Sequence, residues 1–457
     1  MKLKWISLVC AALAAAASTT PVAAADGRPL AERLREVIVA QNFKDVVDLT
    51  PPGTQPLAQQ EMYDPSPAEL MKRARTRADG RPLHQTPNLD VAIIKLDAAG
   101  RAADVANVLL SPQHPNGVVV PVQPQGLSTD QVRYRWWDNV EWDTSGVGTR
   151  DVVPGRENAP IDFSSPYPAS VLKLLVGFGV LRLVDLGKID LDADYAFDPN
   201  PASEACGGPT VKKIRQHFDE MITKSQNEST CSLVKLLHDL NAWDQVNRTF
   251  AELGMPTLMV TRTNPGNGGG WGGANMSGLD TAKLLLLVNG GEGVLWITSE
   301  GKPVTADELS PSSRKFFLET LAGQGHNEML STSNWCGRGY PVQGIPQQVP
   351  SRWIEPDGTV TVGDAIYDRD VRPCNEAAEV TFAHKTGWTA NAGSDAGIVK
   401  SLPGKNKRDY IVVVFGNLGM DYVDAVRPAD PPGVFPVLYT QKYAQLGKQI
   451  DVILQSS

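Results

Sequence analysis

The hydrophobic pattern changes character several times along this chain. Over 30–47 apolar residues recur at helical spacing until Pro51, Pro52 and Gly53 stop the run, and 66–78 reads as a second helix. Val91 to Leu96 is an apolar run of strand length, closed by an Ala99-Gly100 turn. From 102 to 160 Val, Trp, Tyr, Gly and Pro dominate, which suggests strands and loops. The Tyr134, Trp136 and Trp137 aromatics there read as sheet packing. Residues 170–186 are apolar on nearly all sides, the mark of a buried helix. Helices are expected at about 209–224, 228–240, 243–253, 277–289 and 310–322, an all-helical lobe. Strands are then expected at 380–386, 396–399 and 410–415, separated by Gly-Ser and Gly-Lys-Asn turns that suit an antiparallel meander, with an amphipathic helix over about 434–454. Strands on both sides of a helical insert predict a sheet lobe built from both ends of the chain, beside the helical lobe.

Composition narrows the function. The 457 residues are 42% apolar, enough for a large core. Lys plus Arg total 43 against 51 Asp plus Glu, a net charge of −8, so a basic footprint for nucleic acid is lacking. The only long apolar run is at the N-terminus. Lys2 and Lys4 precede the apolar residues 6–17, and Ala23, Ala24 and Ala25 lie before Asp26, the three-part pattern of a signal peptide too short to span a bilayer. The protein is therefore expected to be periplasmic or secreted, with no membrane span once 1–25 is removed. Cys10 would leave with the leader, and Leu8-Val9 lacks the small residue expected before a lipidated cysteine. Cys206, Cys231, Cys336 and Cys374 remain, and three pairings are open. The favoured one, Cys206–Cys231 with Cys336–Cys374, closes the shortest loops, and the spacings do not suit zinc. No metal or cofactor is expected. The expected organisation is 1–25 signal peptide, 26–160 extension and first part of the sheet lobe, 161–300 helical lobe, 301–375 helix and inserted loop, and 376–457 the rest of the sheet lobe.

The candidate chemistry is a Ser-x-x-Lys pair. A lysine one helical turn after a serine can take the hydroxyl proton if burial keeps the amine neutral. Four such pairs occur: Ser170/Lys173, Ser232/Lys235, Ser299/Lys302 and Ser312/Lys315. Ser170 stands out because it opens the buried helix after Tyr167-Pro168, where free N–H groups and the positive end of the dipole lie. Ser225-Gln226-Asn227 is the only Ser-x-Asn, and Lys385-Thr386-Gly387 the only Lys-Thr-Gly. In that order the three motifs resemble the signature of the serine β-lactamases and penicillin-binding D,D-peptidases. The stretch from Leu183 to Asp192 resembles class A β-lactamases.

The resemblance implies an α/β two-lobed β-lactamase/transpeptidase-like fold, with the active site between the lobes, and roles for particular residues. Ser170 would be the nucleophile, Lys173 the base, Ser225 the proton relay, and Asn227 the residue holding the lysine and the substrate amide. Lys385 and Thr386 would recognise a carboxylate, and Gly387 would let substrate lie along the strand edge. The N–H groups of Ser170 and Trp388 would form the oxyanion hole. His384 is one residue off the cleft-facing alternation and reads as structural. Where class A enzymes carry Arg-x-Glu-Pro, with a glutamate that activates water, this chain has Arg262-Thr263-Asn264-Pro265 and then a glycine-rich run. An amide at Asn264 cannot act as a base, so deacylation is expected to be slow. The run reads either as a flexible surface loop or as a mobile cleft wall. The expected function is an exported serine hydrolase forming an acyl-Ser170 intermediate with β-lactam or peptidoglycan-peptide-like substrates. A D,D-peptidase or esterase on the same fold, and a non-catalytic β-lactam-binding or sensing protein, are the alternatives.

Overall fold

A sheet of six strands, antiparallel throughout, organises the chain. Its strands are β1 (Leu89–Leu96), β2 (Ala102–Ser111), β3 (His114–Val119), β4 (Val380–Trp388), β5 (Gly393–Ser401) and β6 (Asp409–Gly416), in the spatial order β4-β5-β6-β1-β2-β3. The two ends of the sequence thus meet at the β6–β1 pairing, as the strand pattern predicts. The computed structural model describes residues 27–48, 85–137, 148–331, 343–363, 365–367, 369–420, 422–424 and 442–455.

Both faces of this sheet are covered, which explains why β1 and β6 read as continuous apolar runs. Ala92, Ile94, Ile411, Val413 and Phe415 face one core, while Val91, Ile93, Tyr410, Val412 and Val414 face the other. The second core is closed by helices α1 (Leu30–Ala40) and α9 (Lys442–Gln455), through Leu34, Ile38, Leu446 and Ile450. The first core holds the helical lobe: α2 (Lys173–Asp185), α3 (Ile214–Thr223), α4 (Asn227–Asp239), α5 (Trp243–Glu252), α6 (Gly278–Asn289) and α7 (Pro311–Ala322). Helices α2 and α6 are buried along most of their length. A short helix α8 (Arg372–Ala377) and the hairpin of Val360–Val362 with Ala365–Tyr367 follow. Among the described residues no helix is long and apolar enough to cross a membrane.

Several expectations shift. The first helix stops at Ala40, because Asn42 turns left-handed (φ 53°), and Val46–Asp48 pairs as a strand with Tyr422–Asp424 instead. The start of the helix expected over 209–224 is a strand, Thr210–Lys213, paired with Asp194–Phe197; the β-branched Thr210 and Val211 suit it. The turn expected at Gly393-Ser394 is already strand β5. The aromatic segment Val132–Trp137 lies between Thr149–Asp151 and Ile161–Ser164 in a small sheet, with Tyr134 packed edge-on against Phe163. The helix expected over 66–78 lies outside the described residues, as do the leader and 425–441. Cys206 and Cys231 form the expected disulfide, worth about 3 kcal/mol for a loop of that length in the chain-entropy picture. Cys374 is also disulfide-bonded, and Cys336 lies outside the described residues.

One buried carboxylate locks the helical lobe to the sheet. Asp90 on β1 accepts hydrogen bonds from the Gly278 N–H that opens α6 (2.7 Å) and from Asn107 Nδ2 (2.7 Å). A Cβ at residue 278 would come within 2.5 Å of the Asp90 carboxylate, so the helix can start there only with glycine. Burial pushes the Asp90 pKa up to about 6, against the opposing pull of the two hydrogen bonds, and Asp280 adds repulsion. Between the unfolded value near 4 and about 6 the folded chain keeps a proton that the unfolded chain has lost. The contribution of Asp90 to stability is therefore full below pH 4 and falls as pH rises through 6, by about 3 kcal/mol for a two-unit shift. Urea unfolding of wild type and Asp90→Asn at pH 4 and pH 7.5 checks this: the difference between them should move by that amount in favour of the variant at the higher pH. A pH-independent difference would exclude the assignment.

Candidate active site

Three chain reversals bring the motif residues together. Ser170 lies on the single tight turn Ala169–Leu172 that leads into α2, and Lys173 is the first residue of that helix. Ala169 is held at φ 47°, an unfavourable conformation for a residue with a Cβ. Ser225 lies between α3 and α4 at φ 57°, and Asn227 begins α4. Lys385 and Thr386 lie near the end of β4, buried. Strain at Ala169 and Ser225 keeps the two serines facing the same lysine.

Lys173 is 1% exposed and its Nζ has four oxygens around it. Ser170 Oγ and Ser225 Oγ are each 3.1 Å away, the Ser225 carbonyl 2.5 Å and Asn227 Oδ1 3.0 Å. Burial pushes the amine well below the usual lysine range, and the positive Lys385 pushes the same way. A neutral amine has two protons and one lone pair. The Ser225 carbonyl and Asn227 Oδ1 can only accept, so they take the two N–H groups. The lone pair is then left for a hydroxyl, and the two candidate hydroxyls are equidistant. Lys385 Nζ donates to Ser225 Oγ (2.9 Å) and to the Thr386 carbonyl (2.8 Å). Burial lowers its pKa to about 7, opposed by Asp395.

Gly387 and Ser394 clamp the strand onto the turn that bears Ser170. A Cβ at Gly387 would lie 2.6 Å from the Ser170 nitrogen and 2.9 Å from that of Val171, so only glycine permits the approach. Ser394, opposite Gly387 in register, has one hydroxyl proton and two carbonyls in reach: Pro168 at 2.7 Å and Gly387 at 3.1 Å. Sequence reasoning missed Ser394, because a serine next to Gly393 looks like turn chemistry. His384 points to the opposite face, where it stacks on Phe382 and contacts Asp395 (2.7 Å) and Asn327 (2.6 Å). Both of Asn327's amide contacts, to the Gln324 and Gly325 carbonyls, are donated, so its oxygen faces His384 and Nε2 of the ring is a donor.

Ser170, Lys173, Asn227 and Trp388 line a cleft together with Tyr167, Leu172, Trp271 and Thr389. Asn264 is not among them. Its side-chain oxygen accepts from the Gly266 N–H (2.8 Å), and its backbone closes onto Gly268 and Gly269. Of the two readings of the glycine-rich run, the cleft wall is the one its packing supports: Trp271 lines the cleft, and Thr263, Asn267, Gly268, Gly269 and Trp271 are buried. A Cβ at Gly268 (φ 73°) would lie 2.0 Å from the Cys231 carbonyl, and one at Gly269 3.0 Å from Cys206 Sγ. The run is glycine because the loop lies directly on α4 and the disulfide. The other Ser-x-x-Lys pairs are otherwise engaged: Ser232 Oγ bonds the Glu228 carbonyl, Lys235 pairs with Asp239, and Lys302 and Lys315 are exposed beside Glu308 and Glu319.

The buried Ser–Lys–Ser constellation lies within a segment that sequence comparison also picks out. Residues 143–333 match the Beta-lactamase enzyme family. The match spans the first two motifs and ends before Lys385, so the resemblance to the serine β-lactamase and penicillin-binding superfamily rests on the matched segment and the third motif together. Similar solved structures include PBP-A (16% identical, covering 89% of this chain and 98% of that one, TM-score 0.41). A beta-lactamase from Chitinophaga pinensis is 15% identical (84% and 97% covered, TM-score 0.40), and one from Sphaerobacter thermophilus 14% (86% and 97%, TM-score 0.40). Curated proteins give no match.

The two lysines predict a pH profile for attack by Ser170. Lys173 must be neutral, so the rate rises with pH through its lowered pKa. Lys385 must be charged to attract a carboxylate, so the second-order rate for an anionic acyl donor falls as pH rises through about 7. Labelling by benzylpenicillin should drop up to about tenfold per unit above pH 8. Lys385→Arg, whose charge persists, should lose the falling limb. A flat wild-type profile from pH 7 to 9.5 would rule out this role for Lys385.

Proposed function

We propose that the protein is an exported serine hydrolase that opens β-lactam-type or peptide-like amides through an acyl-Ser170 intermediate, and that it releases the acyl group slowly. The observation that carries this reading is the buried Lys173 amine, equidistant from the Ser170 and Ser225 hydroxyls, with burial favouring its neutral form. The Ser170 proton moves to Lys173 Nζ as Oγ bonds the carbonyl carbon. The oxyanion faces the Ser170 and Trp388 N–H groups. As the tetrahedral species collapses, the C–N bond breaks, Ser225 gives its proton to the departing nitrogen, and Lys173 returns a proton to Ser225. Lys385 and Thr386 hold the substrate carboxylate, with Gly387 leaving room along the strand edge.

Slow release follows from the cleft lining, which contains no carboxylate. Water on the acyl carbonyl has no general base except Lys173, and Asn264 supplies none. This favours a peptidase-like or β-lactam-binding outcome over rapid β-lactam hydrolysis. Export rests on the 1–25 leader and on cysteines paired as disulfides.

Intact-mass spectrometry after benzylpenicillin addition tests the reading. A one-equivalent adduct that persists for minutes or longer is expected, absent in Ser170→Ala and formed about 10²–10⁴-fold more slowly in Lys173→Ala. Ser232→Ala should label normally. Recovery of the free mass within a second would contradict slow release, and labelling of Ser170→Ala would contradict the nucleophile.

A further inference from the structure

The walls of the cleft carry information that the proton-transfer groups do not. Around Ser170, Lys173 and Asn227 stand three aromatic side chains, Tyr167, Trp271 and Trp388. They come from three separate segments: the residues just before the nucleophile turn, the glycine-rich loop and the end of β4. Among the described residues lining the cleft Lys173 is the one ionisable amine, and burial lowers its pKa. Against these lining residues a charged acyl substituent would lose hydration, whereas a flat apolar one would replace water against aromatic carbon; the nearby cation, Lys385, is engaged by Ser225 and the Thr386 carbonyl.

We propose that this cleft selects acyl groups bearing an aromatic substituent, and that Trp271 is the residue that sets the selection. The proposal rests on the acyl-Ser170 reading and adds the class of acyl group to it. Trp271 is suited to the task because it is fixed before any ligand arrives. Its Nε1 donates to the Gly268 carbonyl (2.8 Å), and the residue is 9% exposed, so an edge of the indole reaches the cleft while the rest is packed. Gly268 rests on the Cys231 carbonyl and Gly269 on Cys206 Sγ, so the loop is referenced to the disulfide and to α4. The same helix starts with Asn227, which bonds Lys173. The wall and the catalytic amine thus share one rigid support. Trp388 is held in turn by His326, whose ring meets it edge-on at 5.3 Å. Side chains already immobilised lose no further rotamer freedom when a ligand docks, so their contact area converts to selectivity efficiently.

Benzylpenicillin and 6-aminopenicillanic acid share the reactive ring system and carboxylate and differ by the phenylacetyl group. The ratio of their second-order acylation rates therefore isolates recognition of the acyl substituent, and a general loss of activity cancels. Wild type should prefer benzylpenicillin by tenfold or more, and over a penicillin with an alkyl side chain of similar length by a few-fold. Trp271→Ala should reduce the aromatic preference about tenfold, in line with loss of a buried ring contact. Trp271→Phe should retain most of it and guards against a folding defect in the alanine variant. An unchanged ratio in both variants would overturn the proposal, as would a wild type that does not discriminate. Calorimetric binding of the same compounds to Ser170→Ala protein gives the comparison without chemistry. If wild type forms no adduct, the acyl-enzyme reading fails alone, and the aromatic selection still stands or falls on whether Ser170→Ala binds benzylpenicillin tighter than 6-aminopenicillanic acid in a Trp271-dependent way.

Discussion

Everything at this site depends on keeping one amine out of water. An ammonium in the position of Lys173 would need compensation for a desolvation penalty of several kcal/mol, and no carboxylate bonds it. Burial and Lys385 both favour the neutral form, and the surrounding oxygens suit a neutral amine. Two pure acceptors fix the N–H directions, which fixes where the lone pair points. That requirement explains the left-handed Ser225, whose carbonyl and hydroxyl must both reach Nζ, and the start of α4 at Asn227. It also explains a second lysine close by: Lys385 repels a proton from Lys173 and keeps a charge of its own for the substrate.

The sheet divides the remaining duties between its faces. Alternation along β4 and β5 puts Lys385 and Ser394 toward the helical lobe, and His384 and Asp395 toward the core under α1 and α9. The near face carries the motif lysine and clamps the turn that bears Ser170. On the far face a His–Asp–Asn chain of hydrogen bonds anchors the same strand from beneath, so the position of Lys385 is referenced to both cores.

The architecture was legible where periodicity was strong. The apolar runs of β1 and β6 announced a sheet buried on both faces, and the all-apolar α2 announced a helix in the middle of the lobe. The motifs gave Ser170, Lys173, Ser225, Asn227 and Lys385, which the fold does bring together. Other features are set by contacts that no local window contains. Asn42 ends a helix whose apolar spacing continues beyond it. Thr210 and Val211 follow a partner strand instead of the neighbouring helix. The glycine run looked mobile because glycine is usual in loops, but here close approach to α4 and a disulfide demands it. Ser394 bonds the Pro168 carbonyl, and Trp271 shares the cleft with Ser170, from distant parts of the chain.

The both-ends construction of the sheet has a consequence for timing. Ser170 and Lys173 are synthesised long before β4, β5 and β6, and the strand that clamps the turn bearing Ser170 is among the last parts of the chain to emerge. Until then β1 lacks its neighbour β6, and neither Lys385 nor Gly387 is at hand. Pairings this distant in sequence form late, because the loop they close must be ordered first. The polypeptide therefore carries Ser170 through synthesis without the strand that later packs on its turn, and on the acyl-Ser170 reading completion of the fold itself would act as the activation step.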